Sequence, residues 1–281
     1  MNNITLQDIS DKYNIYIEHN DIILDIYNKN INGKIYNLDD PFILNLIGIY
    51  YYIIKKDFEL MKKYYLMAID KGCINSINNL AKYYFEEKNY ELMKEYLLMG
   101  IEKGCINSIN NLAKYYFEVK DYELMKKYYL MAIDKDCINS MNNLALYYSS
   151  LEKDYELMKK YYLMAIDKGC SNSMFNLGCH YQVAEEDCNL MKKYYLMAIE
   201  LNNTNAMFNL AHYYENSSEK DYELMKKYYL MAIDNNDIDS MNNLASYYCS
   251  KEKDYELMKK YYLMAIEKGY SKSMNNLFIN F

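Results

Sequence analysis

No segment of this chain is long and apolar enough to span a bilayer. Its most apolar run, Phe42 to Ile54, falls short of the roughly 20 residues that a membrane helix needs. The N-terminus, MNNITLQDISDKYN, has no basic region leading into an apolar one, so no secretory leader is expected. Basic charge is not in excess either: 32 Lys and Arg stand against 39 Asp and Glu, a formal net charge of −7. Binding to a phosphate backbone rests on counterion release by clustered cations, so nucleic acid is not an expected partner. These absences lead us to expect a soluble, intracellular and cytoplasmic protein without membrane insertion.

Chemistry-bearing motifs are also missing. Histidine occurs three times, at His19, His180 and His212, and none accompanies a nucleophile elbow, a phosphate loop or a dinucleotide fingerprint. The acidic residues mostly recur as helix caps and solvent partners, so neither catalysis nor a cofactor is expected. Of the seven cysteines, Cys73, Cys105, Cys137 and Cys170 occupy one repeated position. Neighbours in that series should lie about 10 Å apart, the packing distance of helices, whereas a disulfide needs α-carbons within about 7 Å. They read as small buried hydrophobes in a reducing compartment. Cys179, His180 and Cys188 lack the paired spacing of a zinc site, and adjacent residues on a helix point apart, so no metal is expected. Tryptophan is absent and proline occurs once, while Tyr (37 residues), Asn, Lys and Ile abound. That is the bias of AT-rich codons, and part of the exposed Asn and Lys content follows from it.

What the chain does contain is repetition. Anchored on a central leucine, the copies fall at Leu46, Leu80, Leu112, Leu144, Leu177, Leu210, Leu244 and Leu277, with spacings of 34, 32, 32, 33, 33, 34 and 33. This period suits a helix-turn-helix repeat and not a heptad coiled coil. Length differences collect after the paired tyrosines, in FEEKNY, FEVKDY, SSLEKDY and ENSSEKDY, which marks a loop. Apolar residues three before the anchor, at it, one after and four after follow helical spacing, as in Met141, Leu144, Ala145 and Tyr148.

The second segment, DYELMKKYYLMAIDK, begins at a capping Asp such as Asp121, Asp154, Asp221 or Asp254 and carries Glu in its first turn. Pairs such as Glu123 with Lys127 and Glu256 with Lys260 are expected to bridge at i,i+4 on the solvent face. Eight residues before the next anchor stand Gly72, Gly104, Asp136, Gly169, Asn202, Asn236 and Gly269, all types that tolerate the left-handed conformation at a helix end. Helices of about a dozen residues are marginal alone, so stacking of neighbouring pairs must bury their apolar faces.

The anchor Leu, the small residue after it, the Tyr four after, and Met125, Tyr129 and Ala132 in the second helix resemble the tetratricopeptide signature. NLA-x-YY and KYYLMAIDKG, with a small residue four before the anchor (Ser76, Ser108, Ser140, Ala206), resemble its Sel-one-like branch more closely. The resemblance covers residues 41–281. It implies an all-α, right-handed superhelical solenoid of antiparallel helix pairs: about eight repeats of 32–34 residues, the last one truncated. Two departures stand out: no loop glycine follows the first helix, and Met61, Met125 or Met158 stands where the family places Ala. Residues 1–40 do not fit the repeat and form a non-repeat N-terminal segment. Within it Asn14 to Asn28 reads equally as a capping helix or a short strand, and Asp40–Pro41 reads as a helix cap.

In such folds the first helices line the concave side. One before the anchor, every copy carries Asn: Asn45, Asn79, Asn111, Asn143, Asn176, Asn209, Asn243 and Asn276. An amide both donates and accepts, so such a row suits the backbone of an extended peptide; it equally suits hydrogen bonds within the solenoid. Phe175 and Phe208 replace the preceding Asn in two adjacent copies, and with Cys179 and His212 nearby they make a candidate apolar anchor, or a local packing feature. The expected function is a non-enzymatic scaffold or adaptor that binds a peptide or helical segment of a protein partner. The alternatives are a structural element that self-associates through an uncapped C-terminal repeat ending at Phe281, and a hydrolase grafted on the scaffold.

Overall fold

The computed structural model describes residues 38–218, 220–270, 273, 274 and 277. The expectations for Asn14–Asn28, His19, Asn276 and Phe281 lie outside these residues. The described chain contains fourteen α-helices and, among the described residues, no strand. In order they are α1 Pro41–Tyr50, α2 Phe58–Asp70, α3 Ile74–Glu86, α4 Tyr90–Glu102, α5 Ile106–Glu118, α6 Tyr122–Ile133, α7 Ile138–Tyr147, α8 Tyr155–Asp167, α9 Ser171–Val183, α10 Cys188–Glu200, α11 Thr204–Asn216, α12 Tyr222–Asp234, α13 Ile238–Tyr247 and α14 Tyr255–Glu267. They form seven pairs divided between two compact units. Pairs 1–3 (α1–α6) lie in the first unit, which ends at Cys137, and pairs 4–7 (α7–α14) lie in the second, which starts at Ile138.

Local chemistry explains the boundaries. Each second helix starts at Asp57, Asn89, Asp121, Asp154, Asp187, Asp221 or Asp254, whose side chain accepts from the backbone N–H three residues on, at 2.9–3.2 Å. Each one stops at a left-handed residue, from Gly72 (φ 90°) through Asp136 (64°), Asn202 (58°) and Asn236 (63°) to Gly269 (92°). The first helices begin differently. Asn203 and Asp237 cap with their side chains, whereas Cys73, Cys105 and Cys170 sit at the N-cap without a side-chain hydrogen bond. Three of the four repeated cysteines are therefore half-buried cap residues, Cys137 is buried, and all seven cysteines are free thiols.

The missing loop glycine has a structural answer as well. Lys56, Lys88, Lys120, Lys153, Glu186 and Lys253 adopt left-handed φ values of 52–62° between the helices of a pair. A lysine there costs about 1–2 kcal/mol of backbone strain. In pairs 1, 4 and 7 the extra residue is absorbed as a π-helical turn that ends the first helix, at Tyr51–Lys55, Tyr148–Glu152 and Tyr248–Glu252. A single inserted residue fits a helix in this way.

These π turns correct the register of the first copy. Tyr51 occupies the place of Tyr148 and Tyr248, so the anchor of pair 1 is Ile47 and not Leu46. The tyrosine stacks agree. Four after the anchor, a ring stacks on the second helix in every pair: Tyr51 on Tyr64, Tyr84 on Tyr96, Tyr116 on Tyr128, Tyr148 on Tyr161, Tyr181 on Tyr194, Tyr214 on Tyr228 and Tyr248 on Tyr261, with centroids 5.5–6.2 Å apart. Such a pair contributes about 0.5–1.5 kcal/mol beyond the area it buries. Asn45 consequently falls two before its anchor, and Leu46 takes the place of the conserved-looking Asn of the other copies.

The core of each pair is built from the anchor, the small residue after it, and the Met, Tyr and Ala of the second helix, with Leu97 and Gly100 replacing the last two in pair 2. Met61, Met125, Met158, Met191, Met225 and Met258 are fully buried, so the departure from Ala fills the core. The ion pairs form one residue earlier than the sequence suggests, at i,i+3: Glu59–Lys62, Glu91–Lys94, Glu123–Lys126 and Glu223–Lys226, at 2.6–2.9 Å. The following lysine lies instead over the adjacent tyrosine, as Lys127 over Tyr128 at 5.7 Å and Lys260 over Tyr261 at 5.0 Å. The long stem covers apolar ring surface while the charge stays in water.

Candidate functional site

The asparagines on the first helices fall into two classes, and position decides which. Two before the anchor, Asn acts as an acceptor between consecutive pairs. Asn45 Oδ1 accepts from Ser76 Oγ (2.8 Å) and Asn79 Nδ2 (3.0 Å). Asn142 Oδ1 accepts from Ser173 Oγ (2.9 Å) and Asn176 Nδ2 (3.2 Å). Asn78 and Asn242 accept from Ser108 (3.0 Å) and Ser273 (3.1 Å). The serine four before the anchor, in the place where the sequence shows only a small residue, is the donor that ties one pair to the one before it. Ser76, Ser108, Ser173 and Ser273 are all fully buried, where an unpaired hydroxyl would be costly.

Phe175 and Phe208 interrupt this ladder. Phe175 stacks on Tyr195 with centroids 5.9 Å apart and planes at 24°. The following pair carries Ala206 in place of the donor serine, so nothing is orphaned. Phe208 packs on Tyr229 (5.9 Å, 54°) and stacks on the exposed His212 (6.1 Å). Here the following pair keeps its serine, and Ser240 Oγ is the buried side-chain polar atom left without a partner among the described residues. Ser240→Ala should therefore be neutral or stabilising by up to about 1 kcal/mol, while Ser173→Ala, which breaks a made bond, should cost about 1 kcal/mol. Urea unfolding of the two variants checks this, and an equal loss in both would sink it.

One before the anchor, the Asn side chains are half-buried, and in pairs 6 and 7 they meet the inner tyrosine of the preceding second helix. Asn209 Nδ2 donates to the Tyr195 hydroxyl (3.3 Å) and Asn243 Nδ2 to that of Tyr229 (3.2 Å). The hydroxyls in turn donate to Gln182 Oε1 and Glu215 Oε2, both at 2.7 Å. Burial raises the ionisation of both phenols far above its usual range, so they act as neutral groups. Asn143 is half-buried at the same position of α7. Cys179 lies 3.3 Å from the Tyr195 hydroxyl, and burial raises its thiol pKa, which makes it a poor nucleophile. His180 faces Glu185 at 3.0 Å, and Lys159 pairs with the same carboxylate and holds its pKa below the usual range. Among the described residues, no group of three or more His, Cys, Asp or Glu is placed to hold a metal.

One pair lacks the inner tyrosine. Tyr65, Tyr129, Tyr162, Tyr195, Tyr229 and Tyr262 are buried at this position, and α4 has Leu97 instead. Beside it opens a cleft of about 240 Å³ in the first unit, lined by the apolar surfaces of Ala81, Met93, Leu97, Phe85 and Tyr115 and by Asn78, Asn79 and Asn111. Lys82, Lys114 and Glu118 stand around them. The sequence reading named Asn79 and Asn111 but passed over Leu97 and Phe85. The signal was present, since aligning the seven second helices shows one Leu among six Tyr. The structure thus puts Asn79 and Asn111 on one cleft, and Phe175, Asn176, Phe208, Asn209, His212 and Asn243 into packing and hydrogen bonds within the second unit.

The pairs, their stacked tyrosines and their serine–asparagine ties define an α-helical repeat scaffold. Solved structures similar to it include Sel1-type repeat proteins. A Sel1 repeat protein from Oxalobacter formigenes matches with a TM-score of 0.58 at 18% identity, covering 79% of this chain and 98% of that one. A protective antigen of uropathogenic Escherichia coli strains, described as displaying an SLR fold, matches with a TM-score of 0.57 at 19% identity over 91% of this chain. The chain spans 58% of that antigen's length. No family model and no curated protein matches the sequence. The chain has the Sel1-type repeat fold. No helix among the described residues is long and apolar enough to cross a membrane.

Proposed function

We propose that the chain is a non-enzymatic protein-interaction scaffold that binds an extended peptide or a helical segment of a partner along the first helices of its pairs. One observation carries the reading: the cleft in the first unit joins apolar walls, Phe85, Leu97 and Tyr115, to the side-chain amides of Asn79 and Asn111. Apolar surface with a few placed polar groups is the usual composition of a binding site, and an amide suits a peptide backbone. Asn111 strengthens the reading because Leu97 supplies no hydroxyl to receive its amide, unlike the tyrosines that serve Asn209 and Asn243. Within the second unit taken by itself, Asn143, Asn176, Asn209 and Asn243 hold the equivalent position on its first helices, where a partner segment would pass.

Selection of peptides from a random displayed library tests this. The wild-type chain should enrich a sequence motif, and an Asn111→Ala variant with unchanged helicity should bind the enriched peptides about tenfold more weakly, the effect of one lost hydrogen bond. Absence of enrichment, or equal binding to both proteins, would remove the reading. Concentration-dependent oligomers in sedimentation, without any enriched peptide, would favour a self-associating element instead.

A further inference from the structure

The cleft beside Leu97 has an internal template for its occupant. In six of seven pairs a tyrosine fills the inner position of the second helix, and the phenol oxygens of Tyr195 and Tyr229 accept from the Asn one before the next anchor, at 3.3 and 3.2 Å. The asparagine, Asn111 on the first helix of pair 3, and the apolar surround are kept, but Leu97 in pair 2 removes the phenol that would sit against them. What is left is a cleft with an amide donor in the place where its homologues in this chain hold a phenol.

Size and lining agree with a single aromatic side chain. About 240 Å³ lies below the ~300–1,000 Å³ of sites for drug-sized molecules, and an apolar cavity of about 150 Å³ already admits benzene. The walls are aromatic and aliphatic, with Phe85 at the position that holds the acceptors Gln182 and Glu215 in pairs 5 and 6. An entering ring would therefore face an apolar wall on that side and receive its hydrogen bond from the amide. A second small residue accompanies Leu97 on the same helix. Gly100 stands where the other second helices have Ala, and a Cβ there would clash with the Ser108 side chain, so α4 approaches α5 more closely than an alanine would allow.

We infer that the cleft formed by Leu97, Phe85, Tyr115 and Asn111 binds the side chain of a tyrosine supplied by a peptide partner, its phenol oxygen accepting from the Asn111 amide. The inference rests on the peptide-scaffold reading and specifies which side chain anchors the peptide.

The test separates the two by using the side chain alone. Binding of p-cresol and of toluene to the full chain is followed by chemical-shift titration, alongside the peptides Ala-Ala-Tyr-Ala-Ala and Ala-Ala-Phe-Ala-Ala. p-Cresol should bind with a dissociation constant of about 1 mM, and toluene about tenfold more weakly. Asn111→Ala should erase that difference. Leu97→Tyr, which refills the cleft from within, should abolish binding of both; Leu97→Phe serves the same purpose should the hydroxyl prove hard to place. The tyrosine peptide should outbind its phenylalanine counterpart by a similar factor.

Equal binding of p-cresol and toluene, or p-cresol binding that survives Leu97→Tyr and Leu97→Phe, would overturn the site. p-Cresol binding with exclusion of the tyrosine peptide would overturn the peptide source and leave a free phenol as the ligand. Enriched library peptides that lack tyrosine and ignore Leu97→Tyr would leave the scaffold reading intact and remove this one.

Discussion

Gly178→Ala should destabilise the second unit by about 1–3 kcal/mol, the cost of forcing extra volume into a packed core. Repeat alignment alone argues the opposite. Ala81, Ala113, Ala145, Ala211 and Ala245 occupy the same position, and alanine is favoured over glycine inside a helix by about 1 kcal/mol. The structure decides the sign. A Cβ on Gly178 would lie 2.6 and 2.7 Å from two ring carbons of Tyr195, far inside van der Waals contact. The ring has little room to withdraw, since Phe175 stacks on it and its hydroxyl is bonded to Gln182 and Asn209.

Gly48, next to Ile47 in the first unit, meets the ring of Tyr65 in the same way at 2.5 Å. Chemical denaturation of Gly178→Ala gives the magnitude, and a second measurement assigns the cause. In a Tyr195→Leu background, which reproduces the Ala81–Leu97 combination of pair 2, the alanine should become neutral or favourable. A Gly178→Ala protein more stable than wild type would refute the close approach.

Asn142→Ala should cost about 2–3 kcal/mol, an amount set by the donors it abandons and not by the asparagine itself. Ser173 Oγ is fully buried and Asn176 half-buried, and both donate to the one Asn142 oxygen. A buried donor stripped of its acceptor loses about 1–3 kcal/mol, more than the bond is worth when both partners are removed together. The double variant Asn142→Ala/Ser173→Ala should therefore recover part of the loss. Strict additivity of the two single changes would show that the tie contributes nothing. Nature supplies a comparable paired change next door, where Phe175 takes the acceptor's place and Ala206 the donor's.

The distinction between the two asparagine positions explains why the binding residues were only partly legible. Sequence shows an Asn in every copy one before the presumed anchor, and treats the row as uniform. In the folded chain Asn79 and Asn176 bond the preceding pair's asparagine, Asn209 and Asn243 bond a tyrosine hydroxyl, and Asn111 faces the cleft. Which partner an amide finds depends on residues 14 or 34 positions away, on other helices, and a helical pattern carries no information at that distance. The same limit misplaced Asn45. A leucine at 46 and an isoleucine at 47 both satisfy the apolar pattern, and only the π turn at Tyr51–Lys55 and the stack of Tyr51 on Tyr64 choose between them.

Much of the architecture was determined by the sequence by itself, because it rests on local chemistry repeated seven times. Asp and Asn caps start the second helices, left-handed residues end them, and apolar residues recur at helical spacing; each copy restates the same instruction. Tertiary structure decided what depends on how separate helices meet: the buried serine–asparagine ties, the orphaned hydroxyl of Ser240, the glycines pressed against tyrosine rings, and the cleft left by Leu97. These follow from which side chain is missing opposite another. A periodic sequence reveals what every copy shares, and packing gives meaning to the positions where one copy differs.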